Sequence, residues 1–114
     1  MRVAIPTKNN RIDPQYSRAA EFTIYEIEIE LVKKKAIVPR GKTAIADLLT
    51  ELGINAVICG NIRSSARNIL RAKRIELTYG VLGEVDDVMI RYLSGERLGD
   101  IDENAYWKAG REGE

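Results

Sequence analysis

The stretch that most constrains the fold is Asn55-Ala56-Val57-Ile58-Cys59, almost continuously apolar and closed by Gly60. A strand with one wet face alternates apolar and polar residues. A run without polar positions instead marks a strand covered on both faces, in the middle of a sheet carrying packed helices. The neighbouring segments supply that cover. Ile45, Leu48, Leu49 and Leu52 recur at helical spacing behind Thr43, a candidate cap, and Gly53 suits the helix stop. Ser64 or Ser65 is placed to cap a second helix to about Lys73, with Ala66, Ile69, Leu70 and Lys73 aligned, and residues 75–79 read as another strand. A third helix is expected from about Glu84 to Leu93, with Val85, Val88, Met89, Tyr92 and Leu93 facing inward. Its acidic start complements the helix dipole, and Gly95 ends it.

Upstream, Arg2-Val3-Ala4-Ile5-Pro6 reads as a strand stopped by proline, followed by a loop through Thr7, Lys8, Asn9 and Asn10 and a surface connection to about Ala20. From Glu21 to Leu31 the chain alternates, with Tyr25, Ile27, Ile29 and Leu31 against Glu26, Glu28 and Glu30, the pattern of a strand with one solvated side. Phe22 and Ile24 have the opposite parity, which allows a bulge near Tyr25 or a change of covered face. Lys33-Lys34-Lys35 is expected as the hairpin turn and Ala36-Ile37-Val38 as the third strand. Three strands followed by helix, strand, helix, strand, helix imply a hairpin region and then right-handed crossovers. The expected result is an α/β domain over residues 1–99, a mixed five-stranded sheet flanked by helices. Residues 100–114, with the isolated pair Tyr106-Trp107, are expected as a loosely attached tail.

A chain of 114 residues supports one core. A net charge of +1 provides no global field toward nucleic acid or an anionic membrane, so neither is an expected partner. No charged leader or long apolar segment is present, and a soluble, cytoplasmic protein is expected. Cys59 is the single cysteine and histidine is absent, which excludes an intramolecular disulfide, a multi-cysteine zinc site and the commonest general base. These absences argue against an enzyme.

The segments Met1–Pro6, Asp13-Pro14-Gln15-Tyr16-Ser17-Arg18-Ala19, Leu52–Gly60, Gly80–Asp87 and Tyr92-Leu93-Ser94-Gly95, in this order and spacing, resemble the dinitrogenase iron-molybdenum cofactor biosynthesis family across residues 1–99. The resemblance implies a ribonuclease H-like motif with sheet order 3-2-1-4-5 and strand 2 antiparallel. It also implies a nitrogenase accessory role in binding or carrying a metal-sulfur cofactor, an iron-molybdenum or iron-sulfur cluster or its precursor. Metal-cofactor assembly proteins or a second copy are the implied partners. The chain departs from the family in three places. Gln15-Tyr16-Ser17-Arg18 stands where a His-Phe-Gly-Arg motif is common, a longer Gly- and His-containing loop shrinks to Pro39-Arg40-Gly41-Lys42, and Asn61-Ile62-Arg63-Ser64-Ser65 replaces a glycine-rich turn.

In an open α/β sheet of that order the crevice lies at the carboxyl ends of the first and fourth strands. That expectation sets Thr7, Lys8 and Asn9 beside Gly60, Asn61, Ile62, Arg63, Ser64 and Ser65, with Arg63 and Arg67 adding charge to a helix N-terminus suited to an anion. The alternative for this loop is an ordinary capped turn with solvated arginines. Cys59 is the candidate soft metal ligand at the crevice, against the alternative of a small buried strand residue. Arg18 is a candidate to neutralise an anionic ligand, although an exposed arginine needs no such role. The acids Glu84, Asp86 and Asp87 fit the helix dipole better than a metal site, and Asp100, Asp102 and Glu103 lack calcium-loop spacing. Three readings follow: a non-enzymatic carrier of a metal-sulfur cofactor or related anion, an interaction or regulatory domain that has lost the cofactor, and a phosphate or nucleotide binder.

Overall fold

A computed structural model describes residues 1–101. Its strands are β1 (Arg2–Lys8), β2 (Arg11–Ile12), β3 (Glu21–Glu28), β4 (Leu31–Pro39), β5 (Ala56–Ile58), β6 (Glu76–Tyr79) and β7 (Asp100–Ile101). Its helices are α1 (Ile45–Glu51), α2 (Ser64–Ala72) and α3 (Val85–Leu93). One sheet has the order β4-β3-β1-β5-β6-β7, with β2 paired to β1. β1, β5 and β6 are mutually parallel, β3 is antiparallel to both β1 and β4, and β7 is antiparallel to β6.

The apolar run forms β5, whose three residues are all buried. Alternating side chains feed two cores. Val57 joins Ala4, Phe22 and Ile24 under Leu48 and Leu49 of α1 and Leu70 of α2. Ala56 and Ile58 join Val3, Ile5, Tyr25 and Ile27 under Val85, Val88 and Met89 of α3. β3 therefore has no solvated side over most of its length, contrary to the alternation reading: Phe22 and Ile24 face one core and Tyr25 and Ile27 the other. A register shift falls between Glu26 and Ile27.

The hairpin turn also differs from expectation. It lies at Ile29 and Glu30, both in the left-handed region at φ 49° and 60°, and Lys33, Lys34 and Lys35 are part of β4. Extended geometry brings Lys35 into register with Tyr25 and lets its ammonium bind both carboxylate oxygens of Asp86 at 2.9 Å, a contact that a lysine in the turn would lose. Pro6 does not end β1, because it lies beyond the last register pair with β5, where a missing N–H is tolerated. At the other end, Leu98 is buried and the backbone of Asp100–Ile101 pairs with Thr78 and Tyr79. Residues 102–114, including Tyr106 and Trp107, lie outside the described residues.

Asp86 fastens α3 to the hairpin. The Tyr25 hydroxyl donates to it at 2.7 Å beside the Lys35 bridge. Hydrogen bonds from Lys35 and then Tyr25 hold the Asp86 carboxyl below its ordinary range, while burial and then the bond to Asp86 push the Tyr25 phenol up.

Two outcomes follow for stability. Left-handed backbone costs a non-glycine residue about 1–2 kcal/mol, and Asn-Gly is the favoured pair for a two-residue hairpin turn. I29N/E30G is therefore expected to raise the denaturant midpoint, and an unchanged or lower midpoint contradicts this account of the turn. Asp86→Asn is expected to cost about 1 kcal/mol near neutral pH, since the pair is half-exposed. A carboxyl lowered in the folded state contributes fully above its unfolded value of about 3.9. The wild-type advantage, followed by denaturation at several pH values, should fade as pH falls below that value and through the lowered one.

Candidate functional site

At the carboxyl end of β5 the connection from β2 crosses the sheet. A Cβ on Gly60 would stand 3.2 Å from the Pro14 carbonyl oxygen and 3.3 Å from its Cα, so glycine is what lets the two backbones approach. They are then stitched together: the Asn61 N–H donates to the Pro14 carbonyl at 2.9 Å, and the Tyr16 N–H to the Asn61 carbonyl at 3.1 Å. The Asp13 carboxylate accepts the Gln15 N–H at 3.0 Å, and the chain enters one 3-10 turn, Tyr16–Arg18. Between this turn and the start of α2 lies a cleft of about 410 Å³, lined by Gln15, Tyr16, Ser17, Arg18, Asn61, Ile62, Arg63, Ser65 and Ala66.

The structure brings together Arg18, Asn61, Ile62, Arg63 and Ser65 of the expected set. Ser64, the exposed first residue of α2, and the buried Gly60 are not among the residues that line the cleft. Thr7, Lys8 and Asn9 are not part of it. Thr7 is buried against Thr23, with hydroxyl oxygens 3.0 Å apart, Lys8 pairs with Arg11, and Asn9 and Asn10 form a left-handed turn at φ 54° and 64°. The physical reason is that β2 pairs with the end of β1 and Pro14 packs against Gly60 just past β5, filling the place where an open crevice would have lain.

Cys59 also departs from expectation. It is fully buried, and burial pushes its thiol up to about 12, so the protonated form dominates at neutral pH and no thiolate reaches the cleft. Arg67 is committed elsewhere, donating to the Ile62 carbonyl at 3.2 Å and stacking over the Tyr79 ring at 4.9 Å.

The side chains of Arg18 and Arg63 are exposed and make no hydrogen bond or ion pair among the described residues. Arg63 is the N-cap of α2, with extended backbone and no side-chain cap. Both serines thus lie within the helix rather than capping it, and the first-turn N–H groups remain available. Gln15, Tyr16, Ser17 and Ala66 are the lining residues missing from the expected set. Tyr16 is 5% exposed, meets Phe22 edge-on at 6.2 Å, and its hydroxyl has no hydrogen-bond partner among the described residues. Burial, then the nearby Cys59, raises its pKa. The Asp13-Pro14 turn was the available signal that residues 15–17 would be held in one place. Among the described residues no group of three or more Cys, Asp or Glu side chains could hold a metal ion.

Fold and cleft together define a class: a small mixed α/β protein whose candidate binding surface is built from the connection before β3 and the loop after β5. The chain belongs to the dinitrogenase iron-molybdenum cofactor family, whose family model matches residues 1–95. It is 29% identical over 104 residues to the uncharacterised protein MJ0580 of Methanocaldococcus jannaschii, covering 84% of this chain and 88% of that one. The crystal structure of PH0822 superposes with TM-score 0.82 at 25% identity, covering 90% of this chain and 98% of the other. A crystal structure of MJ0327 from M. jannaschii, described as a candidate dinitrogenase, gives TM-score 0.75 at 26% identity, with 90% and 95% covered.

The buried thiol is directly testable. Cys59 should resist an aromatic disulfide reagent in the native protein at mildly alkaline pH and react stoichiometrically once denatured. Rapid native modification contradicts its placement.

Proposed function

We propose that this protein is a non-enzymatic accessory factor that binds a metal-sulfur cofactor of the iron-molybdenum type, or an anionic precursor of one, as cargo in the cleft between Tyr16–Arg18 and the start of α2. The donor set carries this reading. Among the described residues the guanidinium groups of Arg18 and Arg63 are unengaged, the first turn of α2 offers backbone N–H groups, and Tyr16, which lines the cleft, has a hydroxyl without a hydrogen-bond partner. An orphaned buried donor is costly unless water or a ligand satisfies it.

These groups do not fit direct metal ligation, since the sole thiol is buried and protonated. They fit a cargo held by hydrogen bonds and charge to its outer sulfur or oxygen atoms. Membership of the dinitrogenase iron-molybdenum cofactor family supports the cluster over other anions. With β1, β3, β4, β5 and β6 taken as first to fifth, the observed sheet order is compatible with a ribonuclease H-like kinship. No helix among the described residues is long and apolar enough to cross a membrane, in keeping with a role in the cytoplasm.

The test is an anaerobic titration with isolated iron-molybdenum cofactor, read by absorption and metal analysis. Arg18→Ala and Arg63→Ala should each weaken binding about tenfold or more, as loss of a charge-assisted hydrogen bond does, and affinity should fall with added salt. Cys59→Ala should leave affinity unchanged. Binding indifferent to both arginines, or abolished by Cys59→Ala in a folded protein, sinks the reading.

A further inference from the structure

We propose that the free edge of β4 docks an extended acidic segment of a partner protein in which glutamate or aspartate alternates with apolar residues. Among the described residues β4 pairs with β3 alone, and none of its residues is buried. Leu31 is 64%, Val32 41% and Ile37 56% exposed. An edge of this length presents unpaired backbone groups, which add affinity when an incoming strand extends the sheet.

Register with β3 sorts the side chains of β4 by face. Val32, Lys35 and Ile37 are paired with Ile27, Tyr25 and Thr23, and Lys35 is spent on Asp86. Lys34 is paired with Glu26, and Lys33 lines a shallow cleft with Glu26 and Glu28. Neither lysine makes an ion pair among the described residues. One edge of β4 is thus already met by a strand of the proposed kind: β3 ends in Glu26-Ile27-Glu28, opposite Lys34, Val32 and Leu31. The free edge presents the same residues a second time.

Charge selects the occupant. Lys33, Lys34 and Lys35 sit around the middle of the strand. An antiparallel two-fold pairing over most of β4 would bring the lysine runs of two copies together, and like charges opposed across strands are destabilising. A basic or neutral strand would leave Lys33 and Lys34 uncompensated. The lysine run therefore bars unselective edge pairing while remaining open to an acidic partner.

The test titrates the full chain with an end-capped octapeptide alternating glutamate and valine, beside one alternating lysine and valine, read by amide NMR and hydrogen exchange. The acidic probe should shift and protect amides of Leu31–Pro39. K33E/K34E should weaken its binding at least about tenfold and reverse the preference toward the basic probe, a gain that misfolding does not mimic. Equal binding of the two probes to the wild type, shifts confined to the cleft residues, or no shift at ~1 mM peptide overturns the proposal. Concentration-dependent dimerisation that protects β4 in the absence of probe also overturns it and assigns the edge to a second copy.

Discussion

Because Ala56, Val57 and Ile58 offer water no polar side chain, β5 has to be covered on both faces, and the two covers are unequal. α1 and α2 share one face while α3 lies on the other. At roughly 25 cal/mol per Å² of apolar surface, each fully buried Val or Ile contributes about 1.5–3 kcal/mol, so the layers that meet β5 and β1 dominate the favourable energy of the fold. The cover thins toward β4. Tyr25 and Lys35 reach Asp86 from the hairpin, and beyond that contact the outer strand is left in water.

The cleft depends on a second constraint, the approach of Pro14 to Gly60. Once those backbones touch, the chain between β2 and β3 crosses the end of the sheet rather than looping away from it, and Tyr16 lands on Phe22. This crossing sets the candidate surface on the flank facing α2 rather than at the strand ends. It also separates two kinds of chemistry. Cys59 is sealed beneath, where low polarity favours the neutral thiol, while the guanidinium groups stay outside, where they can meet an anion.

Much of the fold was legible because its signals are local. The apolar run of β5, the 3.6-residue spacing in α1 and α3, and Gly53 at φ 64° after α1 each follow from side-chain chemistry within a few residues. The misread elements turn on tertiary partners. Ile29 and Glu30 are poor turn residues, yet they make the turn because pairing of Glu28 with Leu31 requires it. Pro6 stays in a strand because β5 has already ended beside it. In the cleft, the helix start and Arg18 were readable, whereas the exclusion of Thr7, Lys8, Asn9 and Cys59 follows from a crossing that no local pattern encodes.

The cleft and the β4 edge are contiguous through β3, since Tyr16 packs on Phe22 and Phe22 is in register with Val38. Contiguity alone does not couple two sites; an element with two arrangements is needed, whose balance both ligands shift. β3 is poorly suited to be such an element. It is buried on both faces, tied to β1 through the Thr7 and Thr23 hydroxyls and to α3 through Tyr25 and Asp86. A one-residue slip would turn Phe22 and Ile24 out of one core and Tyr25 and Ile27 out of the other. If the cleft takes a cargo and the edge a strand, the two are therefore expected to bind independently, with cargo leaving the affinity of the edge unchanged.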